Sequence, residues 1–172
     1  MIHKLADIAL AEVGVLEVGG NNCGKRIREY QLATDLRPLG PWAWCAAFAC
    51  WAIEQWLDDA ESRAWLALKR STPEDWRPTT AAAYGLTTWA KTRPNTTRVL
   101  TENDKAMPGD LVTYDFSHCG ILIEDRGGSI VVVEGNTNGK GERDSLSGDG
   151  VWRKVRSRQL VRSFVRIRPS GT

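Results

Sequence analysis

The spacing of apolar residues changes once along the chain, at Pro108-Gly109. Before this point, apolar residues recur at the spacing of a helix face. After it, short runs rich in Val and Ile alternate with turn residues, which is typical of β-strands. A block of helices followed by a block of strands favours an α+β fold over a doubly wound parallel sheet, in which the two kinds of element alternate. We therefore predict N-terminal helices packed on a C-terminal antiparallel β-sheet.

The individual elements follow from the same pattern and from the breaks that Gly and Pro introduce. The predicted helices are Ile2 to Val13, Ile27 to Leu32, Trp44 to Leu57, Glu61 to Lys69 and Thr80 to Lys91. The predicted strands are Asp110 to Phe116, His118 to Glu124, Ser129 to Glu134, Gly150 to Val155 and Phe164 to Arg168. The helix that begins near Trp44 is apolar nearly all round at its start, which predicts that this part is buried. A length of 172 residues suits one domain, which we expect to span residues 1–172.

Composition excludes several classes of protein. No stretch approaches the ~18 apolar residues of a membrane span, so we expect no membrane insertion. Asp7 and Glu12 interrupt the N-terminal apolar residues, which predicts synthesis in the cytoplasm without a signal peptide. The chain has only 2 His and 4 Cys, and no C-x-x-C pair. A zinc site is therefore not expected, and we predict no metal and no cofactor.

The C-terminal segment from Val151 onward is strongly basic. It carries seven Lys or Arg and no acidic residue: Arg153, Lys154, Arg156, Arg158, Arg162, Arg166 and Arg168. Such a segment can face a polyanion, such as nucleic acid, an anionic envelope polymer or phosphate. The alternative is a solvated strand face that balances an acidic body, because charge runs often serve solubility alone.

A predicted hairpin brings His118 near a carboxylate. If Asp125 to Gly127 form a three-residue turn with Gly127 in the left-handed conformation, His118 lies directly opposite Glu134. Directly opposed residues project from the same face of the sheet. Asn136 shares that face if the strand continues regularly. A four-residue turn would shift the register by one residue and remove the alignment.

Cys45 is the candidate nucleophile. It lies at the predicted first turn of the buried helix, where unpaired N–H groups and the helix dipole favour a thiolate. A neighbouring imidazole would lower the thiol pKa further. A Cys, a His and a third polar group are the nucleophile, base and orienting residue of cysteine hydrolases. The alternative is that Cys45 is a small core residue, as buried cysteines usually are.

These residues lie in four short motifs that resemble a known family. They occur in order, as Trp44-Cys45-Ala46-Ala47-Phe48, Pro108-Gly109-Asp110-Leu111-Val112, Ser117-His118-Cys119-Gly120-Ile121 and Val133-Glu134-Gly135-Asn136-Thr137. The set is similar to that of the CHAP domain, a cysteine- and histidine-dependent amidohydrolase/peptidase. The resemblance implies a papain-like α+β fold and cleavage of peptidoglycan amide bonds, as in phage endolysins and bacterial autolysins.

Carried to this chain, the resemblance implies a role for each matching residue. Cys45 would be the nucleophile, His118 the general base and acid, and Glu134 the residue that orients His118, while Asn136 would be an auxiliary polar group. The loop from Glu17 to Asn22 resembles the segment that precedes the cysteine in some members. It lacks the acidic residues of calcium-binding relatives, so we expect no calcium.

Other residues near the motifs have two interpretations each. Trp42 and Trp44 flank the proposed nucleophile and, with Asn21 and Asn22, are predicted to bind substrate, although core packing is the alternative for the two tryptophans. Strand alternation directs Cys119 away from His118, so we interpret Cys119 as packing. We predict that Cys50 is a core residue, and that Cys23 is a free thiol rather than half of a disulfide.

Three functions are compatible with these observations. The first is a peptidoglycan hydrolase, either a phage endolysin or a toxin delivered by a secretion machine. The second is an amidase acting on a small or cytosolic peptide amide through the same residues. The third is a non-enzymatic binding module that uses the basic segment. We expect the first, with bacterial peptidoglycan rather than nucleic acid as the partner, and a monomer that acts on the cell wall after release or delivery.

Overall fold

The computed structural model describes residues 1–36, 40–68, 71–140 and 148–171. Over these residues, six α-helices precede six β-strands. The helices are α1 His3–Ala11, α2 Lys25–Leu32, α3 Cys45–Asp58, α4 Ala60–Leu66, α5 Pro73–Trp76 and α6 Gly85–Lys91. The strands are β1 Thr97–Leu100, β2 Leu111–Tyr114, β3 Cys119–Asp125, β4 Ser129–Thr137, β5 Gly150–Ser157 and β6 Val161–Ile167. All strand pairs are antiparallel, in the order β1-β6-β2-β3-β4-β5, which confirms the α+β prediction.

Most predicted elements are found near their predicted positions, and the differences have local causes. The helix predicted from Thr80 begins only at Gly85, because the hydroxyl of Thr80 accepts a hydrogen bond from the backbone N–H of Ala82 at 3.1 Å. Such side-chain bonds compete with helix formation. β1 was not predicted; it has four residues and pairs with β6 along its whole length. Of the helix predicted over 61–69, α4 covers the part up to Leu66, and residue 69 lies outside the described residues.

Helix α3 lies at the centre of the core and positions the start of the candidate site. It packs against α1, α2, β3 and β4, and eleven of its 14 residues are buried. At its first turn, β4 approaches closely through Gly135. A Cβ at Gly135 would lie 2.6 Å from the ring of Trp44 and 2.7 Å from Cβ of Phe48. Because Gly135 has no side chain, the beginning of α3 packs directly on β4.

The two faces of the sheet bury different sets of side chains. One face packs against the helices through Leu111, Ile121, Val133 and Val165. The opposite face forms a second apolar cluster that includes Leu122, Val132 and Phe164. Within the described part of the chain, none of the helices is both long and apolar enough to cross a bilayer.

Candidate active site

Cys45 is the first residue of α3, and its side chain is nearly enclosed, with 6% of the residue exposed. Its sulfur is hydrogen-bonded to the backbone N–H of Ala46 and to the side chains of His118 and Cys119. The bond from Cys119 and the charge of His118 outweigh burial and lower the pKa of Cys45 well below its usual range. The lowered pKa favours the thiolate form of Cys45, in the position where the dipole of α3 also favours a negative charge.

His118 precedes β3 and is 1% exposed. Burial lowers the pKa of His118, but the Cys45 thiolate and the carboxylate of Glu134 outweigh this and raise the pKa to about 9. The imidazole is therefore protonated at neutral pH. The two pKa shifts together favour a thiolate–imidazolium pair of Cys45 and His118, which is the reactive form of a cysteine nucleophile.

Glu134, on β4, is completely buried and accepts four hydrogen bonds. Its Oε2 accepts from Nε2 of His118 at 3.0 Å and from Nη2 of Arg156 at 2.6 Å. Its Oε1 accepts from the hydroxyl of Tyr114 at 2.6 Å and from Nε of Arg156 at 2.8 Å. Burial raises the pKa of Glu134, but the bonds from Arg156 and His118 prevail and lower the pKa to about 2. The carboxylate is thus ionised and fixed against the imidazolium.

The predicted register of the β3–β4 hairpin is wrong, although the contact between His118 and Glu134 is made. Gly127 has the expected left-handed φ of 77°, but the N–H of Arg126 donates to the carbonyl of Ser129 at 3.0 Å, which closes a tighter turn. A register shift then follows between Leu122 and Glu124. As a result, His118 does not lie directly opposite Glu134.

The contact is still made because the observed register differs from the predicted one by an even number of residues. The pair Ile121↔Val133 places Gly120 opposite Glu134, and Gly120 and His118 project from the same face. A Cβ at Gly120 would lie only 2.8 Å from Cγ of Glu134. The side chain of Glu134 thus crosses the space that Gly120 leaves open and reaches His118.

Asn136 lies at an irregularity of β4. Its φ is 54°, and the pairing of β4 with β5 shifts register between Glu134 and Thr137. The alternation of faces assumed from the sequence therefore ends at this bulge. Oδ1 of Asn136 packs against Gly148, whose Cβ, if present, would lie 2.5 Å away. A catalytic role for Asn136 stays a prediction.

Cys119 has a contact that the sequence interpretation missed. Successive strand residues point to opposite faces, so Cys119 does face away from His118 as predicted. That face is the one that packs on α3, and the thiol of Cys119 meets Cys45 there. The hydrogen bond to Cys45 and, after it, burial raise the pKa of Cys119 well above its usual value, so Cys119 stays protonated and donates to Cys45. The same alternation rule, extended to ask what lies on the second face, could have identified this contact.

The residues predicted to bind substrate occupy different environments. Trp44 is fully buried, stacks on Tyr30 at 5.4 Å and donates from Nε1 to Glu17 at 2.8 Å. Trp44 is therefore a core residue, and the prediction that it lines the cleft is wrong. Trp42 is partly buried and packs against the same core.

The loop with Asn21 and Asn22 stays accessible and is tied to the start of α3. Asn21 is exposed, and Asn22 is half-buried with its N–H donated to Glu17 at 2.8 Å. Glu17, which the sequence did not single out, therefore joins this loop to Trp44. Asn22 belongs to a small cleft of about 110 Å³, which is lined by Asn22, Cys23, Gly24, Arg28, Gln31, Gly40 and Pro41.

Three arginines of the basic C-terminal segment pair with carboxylates of the fold, which agrees with the interpretation that this segment balances an acidic body rather than with a polyanion-binding surface. Arg156 is bound to Glu134, Arg158 is paired with Asp125, and Arg166 is paired with Asp110 at 2.7 Å. These arginines neutralise carboxylates within the fold. Exposed basic residues of the segment include Arg153 and Arg162.

None of the four cysteines forms a disulfide, so Cys23 is free, as predicted. Cys50 donates to the carbonyl of Thr80 at 3.4 Å, and burial raises the pKa of Cys50 to about 12, as fits its predicted place in the core. In the described ranges, no group of three or more His, Cys, Asp or Glu is placed to hold a metal ion.

Comparison with known proteins supports the fold. Neither the protein-family models nor the curated proteins match this sequence. Among solved structures, a crystal structure of Ly7917 aligns with 97% of this chain at 17% identity and a TM-score of 0.53. A second, of Ly7917 with the hydrolyzing product of MDP, aligns with 99% at 16% identity and a TM-score of 0.53. The chain spans 62% and 63% of the lengths of those two chains. The likeness therefore concerns the fold, an α+β architecture in which this chain carries a buried Cys–His–Glu arrangement.

Proposed function

We propose that this protein is a cysteine hydrolase of the CHAP class, with a papain-like fold, that cleaves an amide bond in peptidoglycan. The observation that carries the proposal is the Cys45 thiolate, which begins a buried helix and is paired with an imidazolium that a buried carboxylate holds in place. A Cys that served only for packing would need neither partner. The four motifs named above support peptidoglycan as the substrate.

The geometry supports an acyl-transfer reaction. The Cys45 thiolate attacks the carbonyl carbon of the amide, and the backbone N–H of Cys45 at the start of α3 stabilises the oxyanion that forms. His118 donates its proton to the leaving amine, and the C–N bond breaks to leave a thioester on Cys45. Neutral His118 then takes a proton from water, whose oxygen attacks the thioester carbonyl. The C–S bond breaks, which returns Cys45 as a thiolate and His118 as an imidazolium, and the released carboxylic acid gives its remaining proton to solvent. Glu134 keeps the imidazole oriented in both steps.

The solved neighbour also supports hydrolysis of a peptidoglycan-related compound. Ly7917 was crystallised with the hydrolyzing product of MDP, and its fold aligns with nearly all of this chain. Asn21, which is exposed, and the neighbouring Asn22 are the proposed substrate contacts, because Glu17 ties this loop to the residue that precedes Cys45.

Digestion of purified peptidoglycan tests the proposal. We expect soluble muropeptides when the products are separated and weighed by mass spectrometry, with one new amine and one new carboxylate created by each cut. The masses also identify the bond that is cut. Cys45→Ala should abolish product formation, whereas Cys23→Ala, at a half-buried free thiol, should retain it. Equal activity in the Cys45→Ala variant would exclude the cysteine mechanism. Activity on a small peptide amide, but none on peptidoglycan, would favour a cytosolic amidase.

A further inference from the structure

Arg156 lies one strand away from Glu134 and is enclosed by the fold, with 1% of the residue exposed. Its Nε and Nη2 bind both oxygens of Glu134, at 2.8 and 2.6 Å. Such two-point pairing of a guanidinium with a carboxylate fixes the plane of the carboxylate as well as its position. Oε2 of Glu134 is shared, because Nε2 of His118 binds the same atom at 3.0 Å. The orientation of the imidazole therefore depends on a carboxylate that Arg156 holds.

An aromatic layer encloses this group. The guanidinium of Arg156 lies 5.6 Å from the ring centre of Tyr114 and 5.9 Å from that of Phe116. The ring of Phe116 in turn stacks on Tyr114 at 5.1 Å and on His118 at 5.9 Å. Because water is excluded, charges in this layer interact more strongly than they would at the surface. The positive charge of Arg156 therefore interacts strongly with the charged groups next to it.

The site holds four charges of alternating sign. They are the Cys45 thiolate, the His118 imidazolium, the Glu134 carboxylate and the Arg156 guanidinium. With Arg156 the buried array is neutral, and without it the array carries a net negative charge.

We propose that Arg156 is a positioning residue of the hydrolase, which keeps Glu134 ionised and oriented and so maintains Cys45 as a thiolate. The proposal rests on the proposed cysteine mechanism. Removal of Arg156 has one of two consequences, and either of them disfavours the thiolate form of Cys45. If Glu134 stays ionised, its uncompensated charge repels the thiolate. If Glu134 takes up a proton, His118 loses its anionic partner and is no longer held as an imidazolium.

Other titratable groups near Glu134 do not replace Arg156. Tyr114 donates a neutral hydrogen bond to Oε1. Lys154, on the same strand as Arg156, directs its Nζ to the carbonyl oxygens of Asn138 and Lys140, at 2.7 and 3.1 Å. Cys119 faces Cys45 on the other side of the sheet. Among the described residues, Arg156 is thus the cation other than His118 that contacts the carboxylate directly.

The test measures the rate at which iodoacetamide alkylates Cys45 across the pH range, with the modified peptide identified by mass spectrometry. Arg156→Met removes the charge and keeps the length of the side chain. Arg153→Met, on the same strand but exposed, is the matched control. All proteins carry Cys23→Ser, so that the accessible thiol does not react. We expect the alkylation midpoint of Arg156→Met to rise by about one pH unit or more, which is about a tenfold lower rate below the midpoint. Arg153→Met should match the parent protein.

Arg156→Lys distinguishes positioning from packing and serves alone if Arg156→Met does not fold. Lysine keeps the positive charge but offers one nitrogen, so the midpoint should rise less than in Arg156→Met while remaining above that of Arg153→Met. On peptidoglycan fragments, kcat should fall in Arg156→Lys with KM unchanged, because a side chain this deeply buried does not touch substrate. A midpoint in Arg156→Lys equal to that of Arg153→Met would overturn the proposal. The alkylation assay needs no substrate, so its result is independent of whether peptidoglycan is the true substrate.

Discussion

Replacement of Glu134 by Gln tests the electrostatics of the site through the stability of the fold. The substitution keeps the shape of the side chain but removes the charge that Arg156 and His118 face. A buried charge that loses its partner typically costs about 3–5 kcal/mol. We therefore expect the free energy of unfolding of Glu134→Gln at pH 7 to be lower than that of the parent by an amount in this range.

The pH dependence of the free energy of unfolding gives a second, independent value for the contribution of Glu134 to stability. The pKa of Glu134 falls from an ordinary value of 4.5 to about 2 in the folded protein. Because the folded-state pKa is depressed, the stabilisation is fully present above pH 4.5 and is lost as the pH falls towards 2. Lowering a pKa by one corresponds to about 1.4 kcal/mol, so Glu134 contributes ~3 kcal/mol that disappears across this window. The Gln variant lacks this contribution at every pH.

Urea unfolding followed by circular dichroism at a series of pH values from 7 to 2 measures both effects. The parent and variant curves of unfolding free energy against pH should converge by ~3 kcal/mol between pH 5 and pH 2. Glu124→Gln, which removes an exposed carboxylate from the neighbouring strand, is the control and should follow the parent. If the parent and Glu134→Gln curves stay parallel over this range, the inferred ionisation of Glu134 is wrong.

Three further predictions concern the surroundings of the nucleophile. Gly120→Ala places a methyl group 2.8 Å from Cγ of Glu134, so it should displace the carboxylate and lower kcat at least tenfold. Gly128→Ala, whose methyl group would have nothing within 4 Å, should leave kcat unchanged. Equal kcat values for the two variants would contradict this reasoning. Cys119→Ala should raise the pKa of Cys45, measured by alkylation, while Cys119→Ser should keep that pKa low because a hydroxyl still donates. Identical pH profiles of alkylation for the two variants would refute a role for this hydrogen bond. Peptidoglycan hydrolysis should survive EDTA and be lost after iodoacetamide treatment, and the reverse pattern would indicate a metalloenzyme.

The contrast between Cys45 and Trp44 illustrates what local sequence information can predict. Helix start signals involve neighbouring residues, so the place of Cys45 at the beginning of α3 could be predicted, and the structure bears it out. Whether the adjacent Trp44 faces a cleft or the core depends on Tyr30 and Glu17, which come from distant parts of the chain. No local pattern contains that information.

The hairpin shows a prediction that reached the right contact through the wrong register. Turn geometry and a register shift in β3 set the pairing, and neither has a strong sequence signature. The contact between His118 and Glu134 tolerated the error because side chains alternate with a period of two, and because Gly120 leaves room for Glu134 to cross.

The order of helices and strands, the position of Cys45 at a helix start and the contact of His118 with Glu134 could be predicted from the amino-acid sequence. These follow from periodicity, from short-range motifs and from the small number of histidines. Which arginine of the basic C-terminal segment enters the site could not be predicted in this way, because it depends on how the strands pack in three dimensions. Arg153 and Arg156 lie three residues apart on β5, yet one is exposed and the other is bound to Glu134. Their formal charges are identical, and the difference arises because strand alternation places Arg156 on the face of the sheet that carries Glu134 and places Arg153 on the other face.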